Sequence, residues 1–369
     1  MRKLHIPLIL AGAALAVACN DQPVTGPDLR VDHGTGGISV MSWNVYVGAD
    51  VDAIILALSD GDPTNDLDAL LAGLDELEAT DFLARAGAFA DEIEARRPHA
   101  VGLQEITTFN IDLSQAGGPI VVLDFLPIIE AELAARGLKY TVAGSVLNID
   151  IELMGGLIRM QDYDVLLVDD DRVRVLGAVA KTFDVNLVDF PEIPLPPEIA
   201  LRRGYVMAQL ATDNDVYTVV STHPEPDLFG FDLSQLRAGQ ITEIVTVLGD
   251  ANPAIVMGDL NDVPGSLMYQ VLADVGFADV WEEFRPGVEG FTCCHLTDLS
   301  NPLPGHTKQL DYILARGIGH PQAGLQGRID RLGDVPGDKI AGPYYRIWPS
   351  DHAGLLAEFV MPPAHGVDK

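Results

Sequence analysis

The chain has 369 residues and carries 54 Asp and Glu against 23 Lys and Arg, a formal charge of −31 at neutral pH. Such an excess of acid excludes non-specific capture of nucleic acid by a basic surface unless metal ions screen the site, but it leaves open local chemistry on phosphate. The length is ample to bury a large core, and a single large two-sheet domain accounts for it.

At the start of the chain, Arg2 and Lys3 precede an apolar run from Leu4 to Val17, too short to span a bilayer and shaped like an export signal. The run ends in Leu15-Ala16-Val17-Ala18-Cys19, which resembles the lipobox of bacterial lipoproteins, with Ala16 in place of the usual Leu. The resemblance implies that Cys19 is lipidated and anchors an envelope lipoprotein to the membrane. A cut after Ala18 without lipidation gives a secreted protein instead. Residues 1–19 are thus read as a signal peptide and 20–37, rich in Asp, Pro and Gly, as a flexible tether. Residues 38–362 follow as one catalytic domain and 363–369 as a C-terminal tail.

Within that domain, short β-branched runs predict strands at 37–43, 100–103, 164–168, 173–176, 205–210, 216–220, 254–257, 310–314 and 354–360. Asp169-Asp170-Asp171 reads as an acidic hairpin turn between two of them. Phe82, Ala86, Phe89, Ala90 and Ile93 form a helical stripe that Pro98 ends, and Ser234 is placed to cap a helix running to Gly249. Strands and helices in this order indicate an α/β or α+β protein. Two stretches read as insertions: the acidic segment Asp60 to Glu78, which has some helical character, and the Pro-rich Phe190 to Pro197, placed to overhang a site. A calcium loop at Asp60-x-Asp62 fails, because Asn65 and Leu71 stand where Gly and Glu are needed. The adjacent Cys293-Cys294 is open to two readings, a vicinal disulfide or two reduced thiols.

The informative pattern is where polar residues fall. Asn44, Glu105, His223, and Asp259 with Asn261 each follow a predicted strand; Asp311 sits inside one, and Asp351-His352 stands before the last. Strand ends are rigid, so polar groups placed there can converge on one mouth. The residue types suit phosphoester hydrolysis, which must neutralise phosphoryl charge, position a water and stabilise the leaving oxygen. Glu105 is the best carboxylate for a hard divalent ion, with Asn44 as a neutral oxygen ligand or water positioner. Asp259 and Asn261 are placed to activate and orient water. His352 can donate to phosphate or transfer a proton, with Asp311 fixing its tautomer and His223 as a second donor. Asp262 reads as a turn residue.

The ordered blocks "SWNVYVG", "VGLQEI", "VVSTHPEP", "VMGDLNDVPGS", "QLDYILA" and "PSDHAGLLAEF" resemble the endonuclease/exonuclease/phosphatase superfamily of metal-dependent phosphohydrolases. The resemblance implies a four-layer αββα sandwich, two mixed β-sheets flanked by helices, with the site at one edge. It also implies hydrolysis supported by Mg²⁺, or by Mn²⁺ or Ca²⁺, with Asp351 as a second metal carboxylate and either Asp259 or His352 as base. Tyr163 and Arg202-Arg203 are candidates for the mid-chain Tyr or Arg that some members place on phosphate, and the segment Gly290 to Pro302 matches no specificity loop of known ligand. Export and the lipid anchor favour a phospholipid headgroup or small phosphoester as substrate; the alternatives are an extracellular nuclease on DNA or RNA and a non-enzymatic binding protein on the same scaffold. No protein partner is inferred.

Overall fold

The computed structural model describes residues 37–360, apart from 61, 63, 113, 115–119, 191, 192, 194, 196–198, 214 and 319–325. The expected export signal, Cys19, the tether up to residue 36, the tail and most of the Pro-rich excursion lie outside the described residues. Among the described residues no helix is long and apolar enough to cross a membrane.

The chain enters as β1 (Gly37–Asn44), passes through α1 (Val51–Ser59), α2 (Asp66–Ala79) and α3 (Phe82–Arg96), and returns parallel to β1 as β2 (Ala100–Asp112). Next come β3 (Ile120–Asp124), α4 (Phe125–Ala135), β4 (Tyr140–Leu153) and β5 (Ile158–Asp169). After these the order is β6 (Arg174–Thr182), β7 (Ile199–Leu201), β8 (Gly204–Ala211) and β9 (Val216–Thr222). A second parallel return, β9 to β10 (Ala254–Asp259), crosses over through α5 (Ser234–Leu248). The remainder comprises α6 (Leu267–Asp274), β11 (Ala278–Asp279), α7 (Val280–Phe284), β12 (Asp311–Arg316), β13 (Gly327–Leu332), β14 (Ile340–Ala341), β15 (Arg346–Ile347) and β16 (Gly354–Val360).

Two large sheets result, ordered β13-β16-β1-β2-β5-β4-β7, with β3 beside β2, and β11-β12-β10-β9-β8-β6. Each contains one parallel pair joined through helices and flanked by antiparallel neighbours. Residues alternate across β1: Ile38 and Val40 pack between the sheets, and Met41 and Trp43 pack outward under the helices. With both faces covered, β10 reads as a continuous apolar run, while β1 buries Ser39 and Ser42 among its apolar residues. The outer face of the second sheet is closed by Ile241, Ile244 and Leu248 of α5 and Met268 and Leu272 of α6. The arrangement is the four-layer sandwich.

The helix over residues 82–96 forms for the expected reasons. Asp81 accepts from the Ala84 N–H at 3.3 Å, the apolar stripe is buried, and Arg97 adopts positive φ just before Pro98. Three expectations change. Ser234 is the first helical residue rather than the cap: Leu233 takes that position, and Asp232 Oδ1 accepts the Ser234 N–H at 2.9 Å. Asp169 to Asp171 is not a hairpin turn, because β5 belongs to the first sheet and β6 to the second; the turn carries the chain from one layer to the other. There the buried Asp169 carboxylate pairs with Arg97 at 2.8 Å. The strand predicted at 100–103 continues to Asp112, past a bulge between Leu103 and Ile106.

Candidate active site

The parallel pairs bring their C-terminal ends to one edge of the sandwich, where an open cleft of about 300 Å³ lies. Glu105, His223, Asp259, Asn261, Asp351 and His352 line it. Asn44 and Asp311 lie directly beneath, bonded to lining side chains. All eight residues singled out from strand ends are therefore in one place.

Glu105 sits in the β2 bulge at φ 62°, a conformation that turns its carboxylate to the sheet edge. There Oε1 accepts from Asn44 Nδ2 at 2.7 Å and Oε2 from the Val47 N–H at 2.8 Å. Asn44 also donates through Nδ2 to Asp259 Oδ2 at 3.2 Å, while its Oδ1 accepts the Tyr46 N–H at 2.9 Å. Asn44 thus presents its amide NH₂ to two carboxylates. In this orientation it bridges the two carboxylates, at the position expected from sequence for a neutral oxygen ligand or water positioner. Asn261, at φ 55°, turns its own N–H onto Asp259 Oδ1 at 3.0 Å and anchors its NH₂ on Pro224 O at 3.0 Å.

Asp259 Oδ2 is the focus of the cleft. His223 Nε2 lies 3.6 Å from it and His352 Nε2 3.7 Å. The two imidazoles are tuned in opposite directions. Burial and then Arg203 push the His223 pKa down to about 4. Arg203 Nη1 stands 3.3 Å from its Nδ1, so Nδ1 accepts and the neutral ring carries its proton on Nε2, towards Asp259. Burial also opposes charge on His352, but Asp311, Asp259 and Asp351 outweigh it and hold its pKa well above 6.5. Its Nδ1 meets Asp311 Oδ2 at 2.7 Å. Asp259 and Asp311 are register partners on β10 and β12, and an imidazolium between them offsets their repulsion.

Sequence reasoning missed two further acids, Asp162 and Asp164 on β5, both buried. Burial holds Asp162 well above the usual carboxylate range and pushes Asp164 up to about 8. Arg203, one of three mid-chain candidates, is the one that lines the cleft. Burial lowers its pKa, but Glu225, Asp162 and Asp164 more than restore it. Asp262 is more than a turn residue: its carboxylate pairs with buried Arg237 at 3.1 Å and ties the turn after β10 to α5.

The charged part of the lining is mostly acid, with Asp50, Asp52, Glu105, Asp162, Asp259 and Asp351 against one guanidinium among the described residues, that of Arg203. Burial, followed by Glu105 and Asp259, raises Asp351 to about 7 against the opposing pull of His352. Acids this crowded, offering hard oxygen donors, fit a divalent cation. Glu105 and Asp351 are the groups that would hold it. Asp259, Asp311 and His352 also place ligand atoms within 4.8 Å of one another, but that proximity arises because His352 already bonds Asp311.

The segment after Gly290 acts as a splint behind His352. Thr292 Oγ1 accepts from Leu310 and Asp311 N–H at 3.2 and 3.1 Å, Ala353 N–H donates to Thr292 O, and His295 N–H donates to Asp351 O. Cys293 and Cys294, joined as a vicinal disulfide, line the cleft wall.

The loops carrying Asn44 and Asp351 are joined from below. Ser350 Oγ donates to Asn44 O at 2.6 Å and Trp43 Nε1 to His352 O at 3.0 Å. Arg85, fully buried on α3, donates to Thr80 O at 2.8 Å, Tyr46 O at 3.1 Å, Pro349 O at 3.3 Å and also Val45 O. Arg85→Met strands four buried carbonyls and is expected to cost about 3 kcal/mol or more of unfolding free energy, measured by urea denaturation. A change below about 0.5 kcal/mol would show that the loops do not depend on it.

A model of the Endonuclease/Exonuclease/phosphatase family matches residues 41–352. No curated protein matches the chain in sequence. Among solved structures, the chain is similar to an endonuclease/exonuclease/phosphatase family protein from Bacteroides thetaiotaomicron at TM-score 0.53 and 14% identity, covering 89% of this chain and 99% of that one. It is also similar to a functionally unknown conserved protein from Enterococcus faecalis V583, at 0.51 and 18%, covering 88% and 100%. D. rerio TDP2 complexed with single strand DNA product matches at 0.50 and 16%, covering 88% and 99%. These likenesses carry the fold, and the family model, spanning most of the chain and all eight strand-end residues, carries the membership: the chain belongs to the endonuclease/exonuclease/phosphatase family, whose members are metal-dependent phosphodiesterases and nucleases.

Proposed function

We propose that the protein is an exported phosphodiesterase, supported by Mg²⁺ or by Mn²⁺ or Ca²⁺, that acts on a phospholipid headgroup or small phosphoester. The observation that carries this reading is the lining of the cleft, in which six acids face one arginine. A polyanionic strand gains affinity from rows of Lys and Arg, and this wall lacks them among the described residues. A nuclease is the second reading, favoured by the fold likeness to a TDP2 structure that holds a DNA product. Export rests on the Leu4–Val17 run and membrane attachment on Cys19, with a secreted form if Cys19 is not lipidated.

Bound between Glu105 and Asp351, the ion would neutralise charge on the phosphoryl oxygens. The chain's own residues do the rest. Asp259, with Oδ1 fixed by the Asn261 N–H and Oδ2 held by the Asn44 NH₂ beside the two imidazoles, takes the proton of the attacking water. His352, kept charged by Asp311, donates through Nε2 to a phosphoryl oxygen or to the leaving oxygen. His223, neutral with its proton on Nε2, is a second donor that adds no charge. Arg203 fixes that tautomer from behind.

Glu105→Ala and His352→Ala are each expected to lower kcat by about 10²-fold or more on bis-p-nitrophenyl phosphate or a phospholipid panel, with folding checked by circular dichroism. Wild-type rates in both would sink the assignment of the site. Nicking of supercoiled plasmid above the His352→Ala background, without turnover of lipids, would favour the nuclease.

Below pH about 7 the Asp351 carboxyl holds a proton that an incoming ion must displace. Mn²⁺ affinity, measured by calorimetry, is therefore expected to weaken as pH falls from 7 to 5, by up to about tenfold per unit, and to level off above 7. In Asp351→Asn the slope should flatten; an unchanged slope would place the ion elsewhere.

A further inference from the structure

Beside the cleft, α1, α2 and the far end of the first sheet enclose a chamber whose lining residues are all apolar. Its walls come from Val51 and Ile54 of α1, Leu70 and Leu74 of α2, and Ile111 and Ile151 of the sheet. Ala49, Val51 and Met160 line both the chamber and the cleft that holds Glu105 and Asp259, so the two lie side by side with these residues between them. On its other side the chamber shares Leu71, Leu74 and Leu77 with a wider space between α2 and β3. The inner part holds about 80 Å³ and the outer about 610 Å³. The outer rim carries Leu83, Ile120 and Val122, exposed by 64%, 64% and 72%.

This space does not arise from splayed helices. A Cβ on Gly73 of α2 would lie 2.5 Å from Ile54 Cδ1, so the two helices already meet as closely as glycine allows. Walls of this kind give water no partners, and an exposed apolar rim marks a contact with something apolar. We propose that the chamber receives the hydrocarbon chain of the substrate whose phosphate occupies the cleft. The assignment rests on the phosphodiesterase reading above. Asp75 and Glu78 at the outer rim, and the chain's charge of −31, select a neutral alkyl or acyl chain over a fatty-acid anion.

The test uses the whole protein with Mn²⁺ and a series of alkyl p-nitrophenyl phosphates from ethyl to dodecyl, below their micelle-forming concentrations. KM is expected to fall by up to about fourfold per methylene until the chamber is filled, then to level off, with kcat little changed. Leu70→Phe should bring the plateau to shorter chains and Leu70→Ala to longer ones, each read relative to its own ethyl ester so that a general loss of activity cancels. Independently of turnover, calorimetry with 1-octanol should show binding to the wild type that weakens in Leu70→Phe. A KM flat in chain length overturns the proposal, and if octanol still binds, the chamber serves an apolar molecule outside the reaction. Octanol binding without turnover of any phosphoester overturns the phosphodiesterase reading and takes the tail assignment with it. Chain-length dependence that neither Leu70 variant moves also overturns the proposal, because the tail then lies elsewhere.

Discussion

Backbone carbonyls held by buried donors are the constraint on which the cleft depends. Asn44 leaves the first strand and Asp351 enters the last; the pairing of β1 with β16 brings their loops together, and Arg85, Ser350 and Trp43 fix them by bonding the carbonyl oxygens between them. Side chains in those loops are held at the cleft by groups that touch no substrate. The guanidinium of Arg85 spends its donors on carbonyls, with the Phe82 and Tyr46 rings beside it. Burial lowers its pKa to about 10, which leaves it charged at neutral pH. A cation beneath an acidic cleft also softens the repulsion among the carboxylates above it, so the same residue serves packing and charge.

Once those loops are fixed, the electrostatics follow from neighbours rather than from residue type. His223 and His352 approach the same carboxylate oxygen from two sides, yet one is neutral and the other charged. The difference lies behind each ring: a guanidinium for His223, a carboxylate for His352. Burial raises the Asp162 carboxyl, which lines the cleft, well above the usual carboxylate range and pushes its strand neighbour Asp164 up to about 8.

The site was legible in the sequence where its residues end short apolar strands, because such strands are rigid and their ends have one place to go. Asn44, His223 and Asp259 stand at such ends, Asp311 and His352 at or just before the start of a strand, and Glu105 at a bulge where the apolar run of β2 breaks. Asp162 and Asp164 were hidden because they lie inside a strand, flanking Tyr163, where alternation makes an acid look solvent-facing; here both are buried. The orientation of Asn44 follows from the Tyr46 N–H, a contact that spacing does not encode. Likewise Asp169 to Asp171 looked like a hairpin, since nothing local says that the next strand joins a different sheet. The acidic segment Asp60 to Glu78, read as an insertion with some helical character, forms α2, while α1 over Val51–Ser59 has no such signal in the sequence.

The strand order has a consequence for how the chain is made. β16, the last strand, lies between β13 and β1, the first. During synthesis the edge of β1 therefore stays unpaired until almost the whole domain has emerged, and Asn44 has no Ser350 beneath it until then. A long-range closure of this kind is slow and leaves a sheet edge open to other chains. The centre is assembled last, so partly made or C-terminally truncated chains lack it altogether and cannot begin work on phosphoesters before folding is complete.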